Sequence, residues 1–198
     1  MTGVLPVGRT LMFLSVVFLM AGPVRAQVVL ISNLPGNDAS QSADLTNLRN
    51  KGMGFTLPPG QDYTLLHVTL RLETIAGAPV PIVEIWTNAA GVPGTVIETL
   101  TSPVLNATGI TNYDFTAAGT TTLVGGQSYW IVAYGLAGDP VYNWKASSPA
   151  VPPTGLATHL GSLFDTDGPP PTINSTILCS YSVTAQQVPV ELTGFTIE

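Results

Sequence analysis

The stretch YTLLHVTLRL, residues 63–72, decides the fold. Within it and one residue beyond, Leu66, Val68, Leu70 and Leu72 alternate with His67, Thr69, Arg71 and Glu73. A period of two sends successive side chains to opposite faces of a strand, so the apolar set is expected inside and the polar set in water. Working outward, short β-branched or apolar runs recur between turn residues. Residues 28–32 end at Asn33-Leu-Pro-Gly36, residues 52–57 end at Pro58-Pro-Gly60, and residues 81–87 and 95–100 flank Asn88-Ala-Ala-Gly-Val-Pro-Gly94. Residues 111–117, 128–134, 141–146, 177–184 and 190–197 complete the set. Beyond residue 26 helix signals are nearly absent, while strand signals recur at short intervals. The chain therefore reads as all-β, a single β-sandwich or jelly-roll-like domain. Residues 36–50 are polar and read as a long exposed loop. Residues 147–176 hold Pro149, Pro152, Pro153, Pro169, Pro170 and Pro171. Proline cannot donate to a ladder, so this stretch reads as a loop, either ordered across one end of the sandwich or mobile, and not as a central strand.

The first 26 residues have a different character. Arg9 precedes an uncharged apolar run over residues 11–21, followed by Gly22-Pro23 and the small residue Ala26. Charge, short apolar stretch and cleavage site is the order of a secretory signal peptide. The run is shorter than the ~20 residues that span a bilayer, which favours cleavage over anchoring. The organisation is then a signal peptide at 1–26, a sandwich at 27–187 and a C-terminal strand or tail at 188–198, with no membrane span after cleavage. Removing the leader leaves Arg49, Lys51, Arg71 and Lys145 against all twelve Asp and Glu, so the formal charge of −6 becomes −8. Such a balance excludes nucleic acid as partner, since phosphate binding needs a basic face. At 45% hydrophobic and 9% charged, the 198 residues are too apolar for a disordered chain. One Cys excludes a disulfide framework and a Cys-rich zinc site.

Chemistry-bearing motifs are sparse. Cys179 shares a strand face with Ile177, Tyr181 and Val183 and reads as a small buried hydrophobe, because a thiol nucleophile needs a nearby His and neither His67 nor His159 stands in a recognisable setting. There is no G-x-S-x-G elbow, and Glu73, Glu84 and Glu98 form no local pair of the kind glycoside cleavage uses. Asp165-Thr-Asp-Gly168 opens like a calcium loop, which makes Asp165 and Asp167 the residues that would hold Ca²⁺. Pro169-Pro-Pro171 follows where further oxygen ligands belong, so a plain Asp-Gly turn is the better reading, and no cofactor is expected. Trp86, Trp130 and Trp144 lie in the middle of the chain with Tyr129, Tyr134 and Tyr142. Residues 128–134 carry aromatics on both faces, so one face could present a platform for sugar rings. Filling the core, or bracing the 147–176 loop, is the stronger alternative for such rings.

The order of these motifs resembles the bacterial choice-of-anchor R domain, a family of exported surface proteins. The resemblance is carried by Gly54-Phe-Thr56, Tyr63 to Leu72, Val83-Glu-Ile-Trp-Thr-Asn88 with Gly91-Val-Pro-Gly94, Leu123-Val-Gly-Gly-Gln-Ser-Tyr-Trp-Ile-Val132, Asn143-Trp144 and Phe164-Asp-Thr-Asp-Gly168. It implies a β-sandwich displayed outside the cell, with no established activity and hence no catalytic residues to transfer. A sorting signal usually follows in the family, and here Val188-Pro-Val-Glu-Leu-Thr-Gly-Phe-Thr-Ile-Glu198 stands instead. The expectation is a secreted or cell-surface module without catalytic activity, structural or adhesive, meeting extracellular polysaccharide or surface proteins. The alternatives are a carbohydrate-binding module using Trp86, Trp130 and Trp144, and a hydrolase with an unrecognised site.

Overall fold

The decisive stretch forms one long strand, Tyr63–Thr74, in a computed structural model that describes residues 26–36, 42–74, 80–139 and 141–189. In chain order the strands are β1 (Gln27–Ser32), β2 (Ser42–Leu45), β3 (Asn50–Thr56), β4 (Tyr63–Thr74), β5 (Ile82–Ala89), β6 (Val92–Thr99) and β7 (Gly109–Thr116). They continue with β8 (Thr122–Leu123), β9 (Ser128–Tyr134), β10 (Tyr142–Lys145), β11 (Thr154–Gly155), β12 (Thr158–Asp165), β13 (Ile173–Asn174) and β14 (Tyr181–Gln187). The protein is all-β, and its strands build two antiparallel sheets. The signal-peptide segment through residue 25 and the expected strand at 190–197 lie outside the described residues.

β4 is the spine of the first sheet. Along one edge it pairs with β14 and then β10, and along the other with β8 and then β7. β1 and β11 extend the sheet beyond β14, and β2 extends it beyond β10. The second sheet runs β13-β12-β3-β9-β5-β6. Between them lies one core, in which Leu30, Leu70, Leu72 and Val183 of the first sheet meet Met53, Phe55, Ile85 and Ile131 of the second. Successive strands repeatedly cross from one sheet to the other, as in a jelly roll.

The expected alternation in β4 holds from Val68 to Leu72, all buried on the inward face, but it fails at Leu66. Leu65 is fully buried and Leu66 only partly so. The pairing with β14 passes from His67 opposite Thr184 to Leu65 opposite Ala185, so Leu66 is an extra residue in a β-bulge. One inserted residue shifts the alternation by one and turns the next side chain to the other face. Two further expectations are corrected. The polar stretch 36–50 contains β2, whose Leu45 is completely buried; its polar sequence forms a strand because β10 pairs with it from Tyr142 to Lys145. The proline-rich stretch 147–176 contains β12, which sits between β3 and β13. All six prolines fall before Thr158 or after Asp165, so they bound the strand without interrupting its ladder.

The end of β1 is fixed by Asn33, which is buried. Its Nδ2 donates to the carbonyls of Cys179 and Val151 at 3.1 and 3.2 Å, and its Oδ1 accepts from the Tyr181 amide at 2.8 Å. One side chain thus ties β1, the start of β14 and the loop before β11. The bulge predicts a contrast in chemical denaturation. Leu70→Ala should cost about 2–5 kcal/mol, as core truncations do, and Leu66→Ala less than half of the Leu70 value. Equal losses would contradict the bulge.

Candidate functional site

Side chains that alternate along β9 serve two different places. Tyr129, Ile131 and Ala133 enter the main core, while Trp130 and Val132 join Leu163 in a second apolar cluster on the outer face of the second sheet. Trp86, Val92 and Tyr134 pack around it. Trp130 lies over glycine: it pairs with Gly54, and a Cβ on Gly54 would meet the indole at 2.9 Å. Pro171 closes over the neighbouring Gly52 in the same way, where an added Cβ would lie 2.8 Å from its ring. The indole Nε1 donates to Asn88 Oδ1 at 2.9 Å. Beside it Glu84, itself buried, accepts from Trp86 Nε1 and from Thr99 Oγ1, both at 3.0 Å. Burial first, and the Glu84 carboxylate second, push the Tyr134 hydroxyl up to about 12.

The three tryptophans therefore part company. Trp144 is fully buried in the main core and donates to the Ser180 carbonyl at 2.9 Å. It offers no surface to a ligand, which corrects its placement on a binding face. Trp130 is also buried, over Gly54 of β3 and Gly161 of β12. Trp86 alone is partly exposed. Asp165 and Asp167 do come together on one turn. Asp165 Oδ1 accepts from the Thr166 and Asp167 amides at 2.7 and 3.0 Å, and Oδ2 accepts from Thr172 Oγ1 at 2.9 Å. These bonds, that to Thr172 foremost, lower the Asp165 pKa. Among the described residues no three His, Cys, Asp or Glu side chains gather as a metal-holding group.

Cys179 is completely buried, and desolvation pushes its thiol up to about 12. Its charged neighbour is Lys51 and not a histidine. His159 lies in β12 against β3, with its pKa lowered by burial, and His67 lies in β4 opposite Thr184 and Thr116.

Lys51 leads to a feature that the motif reading missed. An open cleft of about 580 Å³ runs between β2, the start of β3, the end of β12 and the segment after β13. Asn50, Lys51, Asp44, Arg49, Phe164 and Ser175 are among its lining residues. Lys51 Nζ donates to Ser175 Oγ, and Arg49 pairs with Asp44 at 2.6 Å at the exposed rim. The available signal was position: Lys51 alternates in phase with Met53 and Phe55, and a lysine at an inward position of a core strand is rare.

No family model, curated protein or solved structure matches this chain.

The thiol and tyrosine shifts set a pH dependence. The Cys179 pKa rises from 9.0 to about 12 and that of Tyr134 from 10.0 to about 12, so the folded state keeps protons that the unfolded state releases. Their contribution is complete below pH 9 and is lost as pH climbs towards 12. Chemical denaturation of the wild type should therefore show stability falling above pH 9, and Cys179→Ala should flatten the portion between pH 9 and 10. An unchanged profile in that variant would place the thiol in water.

Proposed function

We propose that the chain is an exported, non-catalytic β-sandwich module that acts outside the cell in a structural or adhesive role. The observation that carries the reading is the commitment of its reactive side chains to structure. The thiol of Cys179 is buried, Glu84 is bound to Trp86 and Thr99, and Asp165 is spent on its own turn. The signal-peptide pattern of residues 1–26 and the resemblance to choice-of-anchor R domains support the same reading, and both imply a place beyond the cytoplasm. Expression of the full chain in a bacterial host, followed by fractionation and N-terminal sequencing, tests it. Recovery outside the cytoplasm with Gln27 as first residue is expected. Cytoplasmic protein that retains residues 1–26 would overturn the export.

A second reading, binding of neutral glycans on the outer face of the second sheet, rests on Trp86, whose ring is partly exposed next to the Glu84 carboxylate. It requires that Trp86→Ala abolish a hit in a glycan screen run with and without Ca²⁺ while the fold is retained. A hit that survives this substitution removes the reading.

A further inference from the structure

One pair of reactive groups escapes the structural commitment of Cys179, Glu84 and Asp165. Lys51 Nζ and Ser175 Oγ are hydrogen-bonded to each other, and both residues line the 580 Å³ cleft. Lys51 is 1% exposed and stands in β3 opposite Ala133 of the main core. Ser175, which directly follows β13, is partly exposed. The accessible member of the pair is thus the hydroxyl, and the amine is sheltered from water.

The hydroxyl is held in place. The Ser175 amide donates to the Ser162 carbonyl at 2.8 Å, and Ser162 Oγ donates to the Ile177 carbonyl at 2.7 Å. The Ile177 amide donates to Ser175 Oγ at 3.1 Å. The segment is therefore pinned to β12, and a nucleophile fixed beforehand spares the cost of orienting it. The amine, for its part, is one that can take a proton. Among the described residues no carboxylate stands within ion-pair distance of Lys51, whereas Lys145 has Glu73 at 3.2 Å and Arg49 has Asp44. Burial lowers the Lys51 pKa, and neighbouring Cys179 offsets part of that shift. The other charged residues of the cleft are already engaged, Arg49 with Asp44, and Asp165 with Thr172 and the amides of its own turn. Once Lys51 has lost its proton, Nζ carries a lone pair to which the Ser175 O–H can donate. A hydroxyl bonded to an adjacent base is the activated form of a serine nucleophile, and lysine can be that base as histidine can.

The same bonds limit what the pair can do. The Ser175 and Ile177 amides are spent on them and do not also hold an oxyanion. An alkyl ester formed at Ser175 then hydrolyses slowly, whereas a donor with a good leaving group still reacts forward. We propose that Ser175 accepts an acyl group from an activated ester, one whose leaving group is a better anion than an alkoxide, with Lys51 as general base, and that it keeps the group. Nζ takes the hydroxyl proton, the bond from Oγ to the acyl carbon forms, the bond to the leaving group breaks, and the proton passes from Nζ to the departing anion. The inference rests on the adhesive reading and deepens it, because a module that retains the acyl group is covalently attached to whatever bears that group and does not turn over.

The test mixes the purified protein with p-nitrophenyl acetate, follows the release of nitrophenolate and maps the acetyl group by tandem mass spectrometry. A burst of one equivalent with the acetyl group on Ser175 is expected. Its rate should climb with pH and reach half its maximum below 10.5, the ordinary lysine value, which a serine held only for structure would not show. Lys51→Met should slow the burst about a hundredfold, the worth of a general base, and Ser175→Ala should remove it. Should either variant fail to fold, the labelled residue and the pH profile of the wild type decide. No burst, an acetyl group on Lys51 or on other residues alone, or a burst that survives Ser175→Ala would each overturn the proposal. Sustained release that Ser175→Ala abolishes would overturn both the retention of the acyl group and the non-catalytic reading. A protein that stays in the cytoplasm yet is acetylated at Ser175 would sink the export reading and leave this one standing.

Discussion

β4 carries hydrogen-bonded neighbours along both edges, and among the described residues no other strand of the first sheet does so over such a length. β14 and β10 share one edge; β8 and β7 share the other. Four strands, β7, β8, β10 and β14, thus take their register from one 12-residue strand. Its inward residues, Leu65, Val68, Leu70 and Leu72, then fix which face of the first sheet meets the second. The bulge at Leu66 is the adjustment that lets Leu65 and Val68 both point inward despite an odd spacing. A strand constrained on both edges and one face has little freedom to slip, because a shift by one residue would expose the whole apolar set.

The second sheet solves a different problem. Its inner face closes the main core, but its outer face also carries apolar side chains, and no third layer is present among the described residues to cover them. Glycine makes the solution local. Gly54 leaves room for the Trp130 ring to lie flat on β3, and Gly52 leaves room for Pro171 to fold back over the same strand. Asn88 and Glu84 then satisfy the two indole N–H groups. The result is a thin apolar layer closed by its own large side chains, with the Glu84 carboxylate buried in it and the Asn88 amide partly exposed at its margin.

Much of this was legible in residues 63–72, because a period of two survives a single bulge. Residues 128–134 were equally clear, since their aromatics alternate between faces that the structure puts to separate use. Other features were hidden for physical reasons. β2 has a polar sequence and owes its conformation to β10, a partner about 100 residues away whose pairing leaves no local trace. β12 was masked by prolines that stand at its ends. The tryptophans were visible as a group, but which of them faces the core depends on strand register, and Trp144 fell on the inward side. The cleft was the least legible part, since Lys51 gains meaning only when β12 and the segment after β13 close around it. Lys51 itself, in phase with Met53 and Phe55, was the trace it left.

The scarcity and burial of basic side chains bear on how the folded protein meets proteases. An enzyme that cleaves after Lys or Arg must bind several residues of backbone in extended, accessible form. Lys51 and Lys145 are buried within strands, and Arg71 lies in the doubly paired β4. Among the described residues Arg49, its side chain 59% exposed between β2 and β3, is the basic residue left in reach. Trypsin-like digestion of the native sandwich is therefore directed to the Arg49–Asn50 bond, at the mouth of the cleft. A nick there would free β2 from the connection that holds it beside Asn50, while β4 and the core behind it stayed whole.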